Sequence, residues 1–245
     1  MTALLDYLDA ACRTLREIAD TQAANISAGA DLMTQTILQG GMVHVFGAGH
    51  SHTLAEEMFA RAGGLVPVNP ILDPDMTALG GFMKSSDLER LEGFGRVIFD
   101  HHDARPGEVV IVVSQSGKNA APVEVALAAR ERGLGVIGIT SLAHSRGVPA
   151  EHSSGKKLYE IADVVIDNRV PYGDAAIQIR AGLPRVAPLS TVACAAICNS
   201  LVAETASRLA LRGVDPPIWT SGNIPGGREA NAAHVQRFRD RWGLI

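Results

Sequence analysis

The chain is 245 residues long, which suits one α/β domain with extra helices better than two independent domains. Hydrophobic residues make up 47% and charged residues 20%, so disordered and fibrous classes are excluded. A formal net charge of -4, 4% aromatic content and the lack of a Lys/Arg-rich run exclude the usual means of tracking or stacking on nucleic acid. One small anion remains possible, because backbone amides and hydroxyls can hold a phosphate without net basic charge.

The opening segment mixes acids with apolar residues, unlike a signal peptide, and no apolar run approaches the ~20 residues of a membrane span. Cys12, Cys194 and Cys198 are odd in number and lack metal or redox spacing, so they are expected to be free thiols in a cytoplasmic protein. Apolar residues at three- and four-residue spacing predict two helices, Leu4 to Ile18 and Thr21 to Leu38, ended by Gly40-Gly41. Strands are expected at MVHVFG (42–47), LVPV (65–68), EVVIVV (108–113), GVIGIT (135–140) and ADVVID (162–167). Helix-patterned segments such as TLAEEMFARAG and AAPVEVALAARERG lie between most of them and are long enough for parallel crossovers. A long helix over 188–212 follows, with Ser190 or Thr191 as its N-cap and Gly213 as its stop, then a loop at 221–227 and a last helix. The expected fold is a three-layer, flavodoxin-like α/β sandwich with a five-stranded parallel sheet, preceded by the helical pair.

Ligands of such sheets sit beyond the carboxyl ends of the strands, so the loops there come first. Gly47-Ala48-Gly49-His50-Ser51-His52-Thr53 follows the first strand as a glycine turn into a helix start, a cradle for an anion. Ser114-Gln115-Ser116-Gly117-Lys118-Asn119 follows the third strand, and Thr140 and Ser141 follow the fourth. Three rivals fit less well. A dinucleotide site would want a third glycine where His52 stands and an acid where the second strand ends in Asn69. A serine hydrolase would use Ser51, Asp167 and His234, but Thr53 replaces the second glycine of the elbow. A metal site would use His50, His52, His101 and His102, but the last two precede the third strand, at the wrong end of the sheet.

The segments FGAGHSH and VVSQSGKN resemble the two phosphate loops of SIS (sugar isomerase) domains, and the strand–helix order agrees over about residues 35–212. The resemblance implies a single SIS domain over 1–245. It places the phosphate contacts of glucosamine-6-phosphate synthase isomerase domains on Ser51, Ser114, Gln115, Ser116 and Asn119. His50 and Asn119 depart from that pattern, standing where threonines are usual; Gly49, His50 and His234 are further expected contacts. LERLEGFG (88–95), PYGDAAIQI (171–179) and SGNIPGG (221–227) resemble small phosphosugar isomerase-like members of the family. Relatives of that kind dehydrate N-acetylglucosamine 6-phosphate, and N-acetylmuramic acid 6-phosphate etherases perform a related elimination.

Both isomerisation and elimination begin with proton removal beside a carbonyl, which needs a base and an assisting acid. The expected carboxylates are Glu92 and Glu89, three apart on one helix face, with Glu57 as competitor and His52 beside the cradle. The implied activity is a dehydratase on an N-acetylhexosamine 6-phosphate; the alternatives are an aldose–ketose isomerase and a non-catalytic sugar-phosphate sensor. No cofactor is expected. The expected partners are the sugar phosphate and other copies of the chain, as a homodimer or larger, with no nucleic acid and no membrane.

Overall fold

The computed structural model describes residues 2–243. It opens with α1, Ala3–Leu38, a single helix of 36 residues where two were expected. Its buried stripe passes through Thr14, Ile18, Gln22, Ile26 and Met33 without interruption. Gln22 disguises that stripe because it is polar, yet it is buried to accept the Asp167 N–H at 3.0 Å. No Gly or Pro lies between Ile18 and Thr21 to stop the helix.

The chain then alternates strand and helix: β1 Val43–Gly47, α2 Thr53–Met58, β2 Val68–Ile71, α3 Phe82–Arg90, α4 Phe94–Asp100, β3 Val109–Val113, α5 Ala120–Glu131, β4 Gly135–Thr140, α6 Leu142–Arg146, α7 Leu158–Ile161 and β5 Val164–Asp167. A short hairpin of β6 Ala175–Ile177 and β7 Val186–Pro188 precedes α8, Ser190–Leu211, and α9 spans Gly227–Phe238. The five main strands form one parallel sheet in the order β2-β1-β3-β4-β5. The order reverses between β1 and β3, which makes that boundary the topological switch point.

β2 begins where LVPV was expected to end. Its register against β1 pairs Val43 with Val68 and Phe46 with Ile71, whereas Leu65 bridges to Ile218 in the C-terminal segment. Pro70, which has no N–H to give, is accommodated because β2 is an edge strand.

Alternation along the strands fills two cores. Val43, Val45, Ile111, Ile137 and Ile166 face α1, α2 and α8, while Phe46, Val110, Val112 and Val136 face α4, α5 and α7. Ala193, Ile197 and Leu201 of α8 are buried in the first of these cores, so most of that helix's apolar surface is consumed within the chain. A smaller cluster of Met42, Val66, Phe238 and Trp242 seats the C-terminal segment at the amino end of the sheet. Among the described residues no helix is long and apolar enough to cross a membrane.

Candidate functional site

Gly47 and Val113 are register partners at the carboxyl ends of β1 and β3, so the two loops that follow them emerge side by side. The first loop forms a 3₁₀ turn over Gly49–His52 before α2 begins. A Cβ on Gly47 would lie 2.3 Å from the Ser51 carbonyl oxygen, so only glycine permits this return of the chain on itself. Thr53 Oγ1 donates to the His50 carbonyl at 2.8 Å, and His52 Nδ1 bonds the Gly49 carbonyl. Those contacts spend Thr53 and orient His52 with its Nε2 outward, 3.7 Å from Glu56.

The second loop is braced from within. The Gly117 N–H donates to Ser114 Oγ at 3.1 Å, and Thr140 Oγ1 donates to the Gln115 carbonyl at 3.3 Å. Ser141 Oγ donates to the Val170 carbonyl at 2.6 Å. Thr140 and Ser141 therefore brace the neighbouring loops with their hydroxyls. Lys118 turns away to pair with Glu151, leaving amides and hydroxyls as the polar groups at the turn.

Between the loops lies a narrow cleft lined by His50, Ser51, Val113 and Gln115, and closed by Ser190, Thr191 and Cys194 at the start of α8. Gln115 Nε2 and Asn119 Oδ1 are both buried without a hydrogen-bond partner. A buried N–H without a partner costs about 1–3 kcal/mol, which an anion in the cleft would recover. Ser116 is half-buried on the same turn. Ser190, Thr191 and Cys194 were not singled out from the sequence as ligand contacts. Nothing local signals them, because they reach the cleft through the packing of α8 against α1 and α2. Asp174 fixes the start of α8 by accepting the Leu189 and Ser190 N–H groups at 3.0 and 2.8 Å and the Ser190 hydroxyl at 2.6 Å. The N-cap is thus Leu189 with a distant carboxylate, in place of the expected Ser190 or Thr191 side chain. Burial pushes the Cys194 thiol up to about 12, so it adds no charge to the cleft.

A second cleft, of about 140 Å³, adjoins the first across His50 and is lined by Gly49, His52, Phe82, Ser85 and Glu89. Among the described residues no hydrogen bond or ion pair engages the Glu89 carboxylate. The other expected carboxylates are committed. Glu57 pairs with Arg61 and accepts from Asn199 Nδ2 of α8 at 2.8 Å. Glu92 is not on a helix face: α3 ends at Arg90, and Gly93, at φ 93°, turns the chain before α4. Its carboxylate accepts from the Ser153 hydroxyl and N–H at 2.5 and 2.7 Å, bonds that hold it below the usual carboxylate range. Glu89 and Glu92 therefore do not share a face.

His234 lies on α9 beside Gly40, Pro67 and Trp219, at the amino end of the sheet. It is separated from the cradle by the length of the strands and forms no part of either cleft. The same placement disassembles the Ser51–Asp167–His234 triad, since Asp167 is also occupied by the Leu142 and Arg169 N–H groups. His101 and His102 follow α4, each bonded to a carbonyl one turn back, and among the described residues no three His, Cys, Asp or Glu side chains converge as metal ligands. Asn69 sits at the start of β2, bonded to His44, and Asp73 is the acid that follows this strand. Asp73 caps a turn by accepting the Asp75 N–H at 2.8 Å, so the argument against a dinucleotide rests on His52 alone in the glycine position.

Comparison with known proteins agrees with the fold. A model of the SIS domain matches residues 6–141. A UPF0309 protein of Thermoanaerobacter pseudethanolicus is 43% identical over 97% of this chain and 98% of its own. Among solved structures, a phosphoheptose isomerase from Neisseria gonorrhoeae superposes with a TM-score of 0.52 at 20% identity, covering 81% of this chain and 97% of that one. The Vibrio vulnificus NanR protein, complexed with ManNAc-6P, superposes with a TM-score of 0.50 at 13% identity, over 97% of this chain and 69% of that one. Identities this low carry the fold alone, but the family model covers more than half of the chain and the curated relative nearly all of it, and on those grounds this chain belongs to the UPF0309 family of SIS-domain proteins.

Proposed function

We propose that the protein binds an N-acetylhexosamine 6-phosphate and removes water from it, with the phosphate between the β1 and β3 loops and the sugar over Glu89. The observation that carries this reading is the pair of adjoining clefts at the switch point. One ends on the buried, unpartnered Gln115 N–H beside Ser51; the other holds an uncommitted carboxylate. The NanR protein, which shares the fold, is complexed with an N-acetylhexosamine phosphate, and this supports the choice of ligand class.

Glu89 would take the proton from C2 of the open-chain sugar as its electrons form the C2–C3 double bond. The C3–O bond breaks, and the departing hydroxyl takes a proton to leave as water. His52, which lines the same cleft as Glu89, would supply that proton in its imidazolium form: its Nδ1–H stays on the Gly49 carbonyl, and the proton given up is the one on Nε2, near Glu56.

The test is incubation with hexosamine, hexose and heptose phosphates, followed by mass spectrometry and proton NMR. Dehydration is expected, read as loss of one water from the N-acetylhexosamine 6-phosphate and exchange of its C2 proton with solvent deuterium. Conversion at unchanged mass would replace the dehydratase by an isomerase. Tight binding with neither exchange nor conversion would make the protein a sensor.

A further inference from the structure

The segment after β5 reaches the phosphate cleft from behind. Asn168 is fully buried, and its backbone N–H is anchored on the Thr140 carbonyl at 2.9 Å. Its side-chain polarity follows from its partners. The Val170 N–H donates to Asn168 Oδ1 at 3.1 Å, so the oxygen of the amide must stand there and the nitrogen on the other side. That nitrogen donates to Gln115 Oε1 at 2.7 Å and to Cys194 Sγ at 3.3 Å. With Gln115 Oε1 taken, Nε2 is the group Gln115 has left to offer, and it is buried without a partner.

We infer that Asn168 is a positioning residue: it fixes the orientation of the Gln115 amide so that the cleft presents an N–H donor, not a carbonyl, to a phosphoryl group. This rests on the reading of the cleft as a phosphate cradle. A glutamine amide turned end for end has nearly the same shape, so packing alone does not choose between the two orientations. One backbone N–H, passed through two side-chain amides, makes that choice. The carbonyl-inward orientation would set an acceptor against the anion and leave both unsatisfied.

Calorimetric titration with N-acetylglucosamine 6-phosphate and with inorganic phosphate tests the chain of bonds. Gln115→Ala should weaken both ligands by about tenfold, the worth of a hydrogen bond to a charged group. Asn168→Asp, which can only accept, should turn the Gln115 amide and weaken both by about tenfold or more. In the Gln115→Ala background the same change should add less than about twofold, because the two residues act as one unit. An equal loss in both backgrounds would mean that Asn168 acts through charge or folding, and would overturn the inference while leaving the cradle intact. If Gln115→Ala leaves affinity unchanged, or the wild type binds neither ligand, the cradle itself fails and the inference with it. Should Asn168→Asp not fold, Asn168→Ala is read by NMR. The Gln115 side-chain amide signals, identified by their loss in Gln115→Ala, should shift on phosphate addition in the wild type and not in the variant; an unchanged shift overturns the inference.

Discussion

Glu89 and Glu92 are three residues apart and chemically identical, and their surroundings separate them. Glu92 accepts two bonds from Ser153 and lies near His152 at 3.8 Å, so it is held as the anion and ties the α3–α4 turn to the 152–154 loop. Glu89 faces His50 and His52 across a cleft and owes nothing to its neighbours. The expected outcome is that Glu89→Gln keeps sugar-phosphate binding and loses about 10²- to 10⁴-fold in kcat, the usual worth of a general base, whereas Glu92→Gln loses less than about tenfold. Steady-state kinetics on both variants decide it, and the reverse order would return the chemistry to Glu92. That Ser51 and the Ser114–Asn119 segment stand on strand-to-helix turns was legible, because a glycine turn after an apolar run declares itself locally. The different surroundings of the two glutamates were not, because they depend on α3 ending at Arg90, two residues before Glu92, and on Ser153, sixty-one positions from Glu92.

Among the elements, the C-terminal segment reaches a buried carboxylate just before β3 through Arg241. Glu108 accepts from His44 at 2.8 Å, from Arg241 at 2.6 Å and from the Met42 and Arg105 N–H groups at 3.0 and 2.8 Å. Burial alone pushes its carboxyl up; the bonds from His44, Arg241 and the Arg105 amide outweigh that and leave it at about 2, below an ordinary 4.5. A depressed folded-state value means stability that is present above pH 4.5 and lost as the pH falls toward 2. The difference is worth about 3 kcal/mol. Urea unfolding from pH 7 down to pH 3 should show about 2 kcal/mol of that loss in the wild type, the rest going below pH 3. In Glu108→Gln the acid decline should be shallower, from a starting point about 3 kcal/mol lower because Arg241 loses its buried carboxylate and keeps only the exposed Asp103. Parallel pH curves for the two proteins would refute the role of Glu108. This network was hidden in the sequence, as His44, Glu108 and Arg241 belong to three distant segments. The merging of two expected helices into α1 was hidden for the opposite reason: Gln22 breaks the apolar pattern while serving the core, through its bond to the end of β5.

For the whole molecule, the alternation of apolar runs with helical segments made the parallel sandwich readable, but strand order is set by packing between segments. The adjacency of β1 and β3, on which the site depends, therefore had to be seen. The same holds for what each helix covers. In the 188–212 helix, Ala193, Ile197 and Leu201 are spent against the sheet and α1. A group of exposed apolar side chains stands near the Glu89 cleft, where Leu79, Phe82 and Met83 are 88%, 76% and 68% exposed. Each such side chain moved out of water contributes about 1.5–3 kcal/mol, and exposed apolar groups gathered beside a polar cleft are what a subunit contact covers. The expected assembly is a homo-oligomer, at least a dimer, in which the α3 region of one copy is covered by another; light scattering at micromolar concentration should give the mass of two chains or more. Phe82→Glu with Met83→Glu should lower that mass to one chain without unfolding it, since both side chains already stand in solvent. Activity should fall with assembly, because Phe82 lines the cleft that holds Glu89 and the contact would shield that cleft from water. A wild-type protein that scatters as a monomer, or a double variant that keeps its mass, would place the contact elsewhere or remove it.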